Sequence, residues 1–305
     1  MKILDKEFEE KLGNSDKEFD LIGIGGLNWD RLLFVDRLAN KGEEIGIKRI
    51  WEGVGGSAAN TTTWLSKFNR KIGYVSCRGN DKEGNLIVKK FKSLNIDNSN
   101  IRVKDERTGS AFGIIDKKGE RTLYSYGGAS SKLNFQDIAL DYINDSKIIH
   151  LTSLLGEKSV ETMKKISSRS EPILSLSPGL LCQELEEKSL LSLIENSDIL
   201  FLNELELEEL LKNISNIREL FEKGVKIIVV TLGSEGCQIY CKGTSIEIPA
   251  LDVDVKDTTG AGDAFAAGFL EGMLSNKKIT ECGKLGNKTA AECIQAIGGS
   301  YGQRP

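Results

Sequence analysis

The run Asp257-Thr-Thr-Gly-Ala-Gly-Asp263 leads directly into Ala-Phe-Ala-Ala-Gly-Phe269. Small, glycine-rich backbone thus meets the start of a helical pattern, with an aspartate in the first turn. A helix N-terminus offers unpaired N–H groups at Gly260, Ala261, Gly262 and Asp263, together with a positive dipole end, and both suit an anion. Asp263 is badly placed to bind that anion and well placed to take a proton from a nearby hydroxyl. An anion cradle beside a base is what phosphoryl transfer to an alcohol requires. The plainer alternative is a turn that starts a helix, with Asp263 complementing the dipole.

Four other stretches carry candidate chemistry. Asn28 and Asp30 follow the apolar run Phe19-Asp-Leu-Ile-Gly-Ile-Gly25, at the edge where open α/β sheets bind ligands. An amide and a carboxylate there can hold two hydroxyls of a polyol. Gly55-Gly56-Ser-Ala-Ala-Asn60 opens a second helical pattern, and its glycines permit close backbone approach. Asn203-Glu-Leu-Glu206 ends an apolar strand and enters an acidic helix; taken alone it reads as an N-cap with first-turn carboxylates. Thr231-Leu-Gly-Ser-Glu-Gly236 also follows an apolar strand.

These groups need a frame. After about residue 130 the pattern alternates strands, at Lys147–Thr152, Ile173–Ser177, Asp198–Leu202, Val225–Thr231, Gln238–Lys242 and Ser245–Pro249, with helices that include 262–275 and 280–297. This predicts an α/β fold with a mostly parallel sheet between helical layers. Two β-rich insertions, about 31–52 and 103–127, do not join such a sheet easily and are expected to form a small one of their own. Residues 1–19 read as an N-terminal extension and 20–305 as one domain. Gly23, Gly25 and Gly26 do not complete a dinucleotide fingerprint, because Asn28 stands where a third glycine is needed. No G-x-x-x-x-G-K run is present, which excludes a P-loop. The net charge of −4 disfavours nucleic acid as partner. No membrane-length apolar run and no apolar leader are seen, so a cytoplasmic location is expected. The six scattered cysteines read as reduced, buried thiols, and the single histidine, His150, as structural.

The 257–263 run resembles the D-T-x-G-A-G-D motif of the ribokinase/phosphofructokinase-B family of sugar and nucleoside kinases. The likeness extends over nearly the whole chain from residue 20. It implies a ribokinase-like core with a β-sheet lid built from the two insertions. It implies that Asn28, Asp30, Gly55, Gly56 and Asn60 contact the substrate, with Phe112 and Tyr126 as apolar cover. Asn203, Thr231, Gly233, Gly236 and Asn287 would border the nucleotide, and Gly298-Gly299 would close its pocket. Glu206 would organise Mg2+ through water, and Asp257 and Thr259 match the positions that hold a monovalent cation such as K+ in some relatives. Two departures stand out: Ser177 replaces the Asp that many relatives carry before Pro-Gly, and the chain ends at Pro305, where relatives often continue into a helix.

The resulting expectation is a kinase that moves the γ-phosphoryl group of ATP to a hydroxyl of a sugar or nucleoside, with Asp263 as general base. A homodimer paired through the lid accompanies it, because an exposed sheet needs cover. The alternatives are a kinase of a sugar phosphate, with Arg31, Arg107 or Arg121 facing its phosphate and ADP as a conceivable donor, and a non-catalytic sugar- or nucleotide-binding sensor.

Overall fold

The computed structural model describes residues 6–302, apart from 157, 213, 215 and 242. Among the described residues thirteen strands form two sheets. The large sheet takes β1 (Phe19–Ile24), β4 (Ile72–Gly79), β5 (Ile96–Lys104), β8 (Ser146–Thr152), β9 (Ile173–Ser177), β10 (Ile199–Asn203), β11 (Ile227–Thr231), β12 (Cys237–Cys241) and β13 (Thr244–Ile248). Their order is β13-β12-β11-β10-β9-β8-β1-β4-β5. Every pairing from β5 to β11 is parallel, and β12 and β13 close that edge as an antiparallel hairpin. Lys242, the last residue of one expected strand, lies outside the described residues.

The sheet is covered on both faces because its strands are apolar at consecutive positions. Ile148, Phe201 and Val229 join one core cluster, while Ile149, Leu200, Leu202 and Val230 join the other. The first cluster packs Phe265 and Phe269 of the helix Ala261–Leu274 and Trp64 and Leu65 of the helix Ser57–Ser66. It also takes Phe8, fully buried, from a helix at Lys6–Gly13. The second cluster packs Met163 and Ile166 of Ser159–Arg169 and Leu210 of Glu204–Leu211. From β1 the chain runs to β4 and β5 on one side, and later to β8 and onward on the other. The order therefore reverses beside β1 and β8, and their C-terminal ends open a crevice there.

The second sheet is small: β2 (Asn28–Phe34), β3 (Arg49–Gly55), β6 (Gly109–Ile115) and β7 (Arg121–Tyr126), in the order β3-β2-β6-β7. Strands β2 and β6 are parallel, and the two outer pairs are antiparallel. Asn28 and Asp30 are thus part of this sheet, which begins three residues before the expected insertion at about 31. Residues 103 and 104 end β5 on the large sheet, so they belong to the other body of strands.

All six cysteines are free and buried. His150 is buried, with Nδ1 3.0 Å from Ser175 Oγ, and desolvation pushes its pKa down to about 3, so the ring is neutral. Among the described residues no helix is long and apolar enough to cross a membrane.

Candidate active site

Two helix N-termini converge on one point. The helix Ser57–Ser66 starts after Gly56, which has φ +104°, and the helix Ala261–Leu274 starts after Gly260, which has φ +73°. Asn60 Nδ2 donates to Asp263 Oδ2 at 2.8 Å, and Thr61 Oγ1 donates to the Asp263 carbonyl at 3.2 Å. These bonds pin the start of one helix to the start of the other. Gly260 is required by two features at once. Its backbone is left-handed, and a Cβ there would lie 2.5 Å from Gly299 Cα. No side chain caps the Ala261–Leu274 helix. Ala261 N–H is taken by the Thr258 carbonyl at 3.2 Å, which leaves Gly262 and Asp263 as the freer donors of the expected cradle. The space beside Gly262 is open.

Burial pushes the Asp263 carboxyl up to about 6. Hydrogen bonds from Asn60 and Ser57 oppose this, and the charge of Glu206 adds to it. Asp263 is held close to the point where a carboxylate is both ionised and basic at neutral pH.

Buried polar atoms without partners are rare in folded proteins. The described residues hold four in side chains: Asn28 Oδ1, Asp30 Oδ1, Asn60 Oδ1 and Ser170 Oγ. Three of the four are acceptors belonging to this one site. The sheet register makes room for them. Asn28 lies between Gly55 and Gly109, and a Cβ on Gly109 would sit 2.2 Å from Asn28 Oδ1. A Cβ on Gly55 would sit 1.9 Å from Asp30 Oδ2. Burial raises Asp30 to about 7, the charge of Arg121 lowers it, and that of Asp263 raises it. Each carboxyl must be ionised to work as a base or to accept two hydroxyls. We therefore expect kcat/KM to fall as pH drops through about 7 and then about 6. A profile that stays flat from neutral to acid pH would contradict this.

The remaining expected residues fall into groups. Asn203 caps the helix Glu204–Leu211 in a reciprocal capping box: Glu206 N–H donates to Asn203 Oδ1 at 2.8 Å, and Asn203 N–H donates to Glu206 Oε2 at 3.1 Å. The plain local role is therefore present, while burial also raises the Glu206 pKa and its charge reaches Asp263. Thr231 ends β11, and Gly233 and Gly236 bound the short turn after it. Asn287 is buried and donates to the Ile248 and Pro249 carbonyls at 3.1 and 2.9 Å, so it holds the chain at the end of β13. Asp257 Oδ1 accepts from Thr259 N–H and Oγ1 at 2.9 and 2.6 Å, and Oδ2 accepts from Gly298 N–H at 2.9 Å. It clamps the cradle to the 298–299 turn. Cys293 Sγ packs under both loops, 3.5 Å from the Thr259 carbonyl and 3.9 Å from that of Gly299.

Phe112 requires a correction. In the small sheet Asp30 pairs with Ala111 and Arg31 with Phe112. Neighbouring residues on a strand face opposite ways, so Phe112 and Asp30 lie on opposite faces. The Phe112 ring is 39% exposed and lies under the Arg31 guanidinium at 5.8 Å. Phe112→Ala is expected to leave the KM of the alcohol substrate essentially unchanged, and a large rise would return the ring to the site. Arg121, by contrast, shares the Asp30 face and hydrogen-bonds through Nη1 to Thr259 Oγ1.

Comparison with known proteins bears on the family and the fold. The family model of the pfkB family carbohydrate kinases matches residues 20–304. A protein of Archaeoglobus fulgidus described as an uncharacterized sugar kinase is 32% identical over 243 residues, 78% of this chain and 97% of its own. The solved nucleoside kinase of Methanocaldococcus jannaschii superposes with a TM-score of 0.85 at 27% identity, covering 93% of this chain and 95% of its own. The solved ribokinase of Arabidopsis thaliana, complexed with ribose and ATP, gives a TM-score of 0.77 at 26% identity, covering 92% and 94%. With a ribokinase fold, two converging helix N-termini and a family match over nearly its full length, the chain belongs to the pfkB family of carbohydrate kinases, phosphotransferases with an alcohol group as acceptor.

Proposed function

We propose that this kinase transfers the γ-phosphoryl group of ATP to a hydroxyl of a free sugar or nucleoside, with Asp263 as the general base. The observation that carries the reading is the trio of unpartnered buried oxygens on Asn28, Asp30 and Asn60 beside Asp263. They ask for hydrogen-bond donors, which a polyol supplies as hydroxyls. One hydroxyl loses its proton to Asp263 as its oxygen bonds to the γ-phosphorus. The bond from that phosphorus to the bridging oxygen breaks and leaves ADP. The proton then passes to solvent. Amide N–H groups at the start of the Ala261–Leu274 helix stabilise the charge on the transferring group. ATP as donor is supported by the Arabidopsis ribokinase complex.

Among the described residues no cluster of three or more His, Cys, Asp or Glu could hold a metal ion. The oxygen donors Asn203 and Glu206 therefore fit Mg2+ only in its outer sphere, through water, where the ion would neutralise phosphate charge. Asp257 Oδ1 accepts two hydrogen bonds and Oδ2 only one, which leaves Oδ2 able to contribute, with Thr259, to a K+ site. Of the three arginines that could meet a substrate phosphate, Arg31 is held by Glu52 and Glu83, each at 2.7 Å. The small sheet acts as a lid that excludes water. Its outer face, with Ile50, Phe112 and Tyr124 exposed, is the surface for a second copy. Six buried free thiols suit the reducing cytoplasm.

The test is phosphoryl transfer from ATP and magnesium across free pentoses, hexoses, inositols, nucleosides and their monophosphates. Turnover on a free polyol supports the reading. Silence on all of them, with ADP also tried as donor, would favour a binding protein, and turnover on monophosphates alone would favour a sugar-phosphate kinase.

A further inference from the structure

A cavity of about 1140 Å³ lies outside the site described above. It runs between β3 of the small sheet and the segment 295–302, which follows the helix Ile279–Ile294. None of the residues assigned above to the alcohol, the base or the nucleotide lines it, except Gly298, which forms a shared wall. The other walls are aromatic. Trp51 comes from β3 and is only half-buried, and Trp64 and Tyr301 stand with ring centroids 5.2 Å apart. The rim is cationic. Arg49 and Lys256 line the cavity, both are exposed, and among the described residues neither has a carboxylate partner. The Arg49 guanidinium rests on the Phe34 ring at 4.0 Å, which leaves its N–H edge for an anion. The one acidic residue of the lining, Glu292, is already paired with Lys67. In a chain of net charge −4, two unpaired cations beside three aromatic rings are a local inversion that suits an anion with a flat apolar part.

The cavity stands back to back with the cradle. Gly298 N–H donates to Asp257 Oδ2 at 2.9 Å, and the Gly299 carbonyl accepts from Trp64 Nε1 at 2.9 Å. A Cβ on Gly299 would sit 2.7 Å from Asn60 Nδ2, on the side of the base. A Cβ on Gly298 would sit 2.0 Å from the Trp51 ring, on the side of the cavity. Trp51 pairs with Leu32, two residues from Asp30, so it projects from the face of the small sheet that carries Asp30. A ligand that fills the cavity therefore touches both bodies, at Arg49 and Trp51 on the small sheet and at Lys256 and Tyr301 on the core. We infer that this cavity is a regulatory site for a small aromatic anion, a planar ring carrying a phosphate, the class to which nucleoside monophosphates belong. The ring packs among Trp51, Trp64 and Tyr301, and the phosphate meets Arg49 and Lys256. A ligand held by both bodies binds best when they are together, so it favours closure and raises the affinity for the alcohol. The site stands without the kinase reading above, and only its effect on the alcohol rests on that reading.

The probe is adenosine monophosphate. Two of the three tryptophans line the cavity, so intrinsic fluorescence reads its occupancy. With the nucleotide site saturated by a non-hydrolysable ATP analogue and magnesium, the probe is expected to change that fluorescence saturably, with a Kd below about 1 mM. Arg49→Ala combined with Lys256→Ala should weaken binding by about tenfold or more, with turnover in the absence of probe unchanged and thermal melting confirming the fold. In wild type the probe should lower the KM of the alcohol about fivefold, and in the double variant it should not. Inorganic phosphate at the same concentration should do neither. No saturable signal in the presence of the ATP analogue overturns the inference, because the probe then binds only where the donor does. Equal affinity in the double variant overturns it by placing the probe elsewhere. A matching effect of inorganic phosphate overturns the aromatic class, and an unchanged KM overturns the regulatory role. A wild type silent on every alcohol would defeat the kinase reading, while a saturable signal that the double variant weakens would still support the site.

Discussion

Replacing Asp263 by Asn is expected to lower kcat about 10²–10⁴-fold, the usual worth of a positioned general base. The substitution is nearly isosteric. An amide oxygen at 263 can still accept from Asn60 Nδ2, so the bond between the two helix starts survives. What disappears is the capacity to take a proton. Substrate affinity should change little, because Asn28, Asp30 and Asn60 hold the alcohol. The same variant carries a stability signature. Burial raises the folded pKa of Asp263 to about 6 from the ordinary 3.8. A raised carboxyl favours the folded state fully below the unfolded pKa, and that contribution is lost as pH rises through about 6. Wild type without ligand should therefore lose more stability than Asp263→Asn between pH 4 and 7, and the variant should melt higher at pH 8. Steady-state kinetics and melting curves at two pH values check both halves. A variant with near-normal turnover would remove Asp263 from the chemistry.

Gly260→Ala is the second large effect. A left-handed φ costs a non-glycine residue about 1–2 kcal/mol. The new methyl would also meet the Gly299 backbone on more than one atom, with Cα at 2.5 Å and O at 2.8 Å. Backbone cannot rotate away as a side chain can. We expect a stability loss of about 2–4 kcal/mol and a kcat about 10²-fold lower, because the displaced loop carries the cradle N–H groups. Gly262→Ala provides the stability contrast, since nothing lies within 4 Å of the place its methyl would take and its φ is not left-handed. It should unfold no earlier than wild type. Equal stability losses in the two variants, measured by urea unfolding, would show that the Gly260 conformation is not the cause.

The candidate chemistry proposed for Asp263 was legible in sequence because its parts are local. The glycines, the expected anion cradle and the proposed base occupy seven consecutive residues, and one helix start positions them all. The alternation of strands and helices after residue 130 was equally clear, because strands buried on both faces leave long apolar runs. Strand β5 was hidden for the opposite reason. Its sequence, Ile-Asp-Asn-Ser-Asn-Ile-Arg-Val-Lys, is that of a half-exposed edge and reads as loop. The faces of the small sheet were hidden too. Whether Phe112 or its neighbour points at Asp30 depends on the register between β2 and β6, and a shift of one residue reverses the answer. Arg121 was one of three lid arginines that the sequence offered without a way to choose between them. What sets it apart is a partner 138 positions away. The partnerless oxygens show only in three dimensions, since an Asn or Asp in sequence gives no sign of what its side chain lacks.

Cys293 gives the protein an internal clock. Burial, with the charges of Asp263 and Asp257, pushes its thiol up to about 12, so alkylating reagents find almost no thiolate. The sulfur lies against the carbonyls of Thr259 and Gly299, so parting of those loops would expose it to reagent. The alkylation rate of this one side chain is then expected to report openings of the cradle region in the unmodified enzyme. A ligand that seats on the cradle should slow the count, while the five other thiols, buried elsewhere, keep time for the rest of the fold.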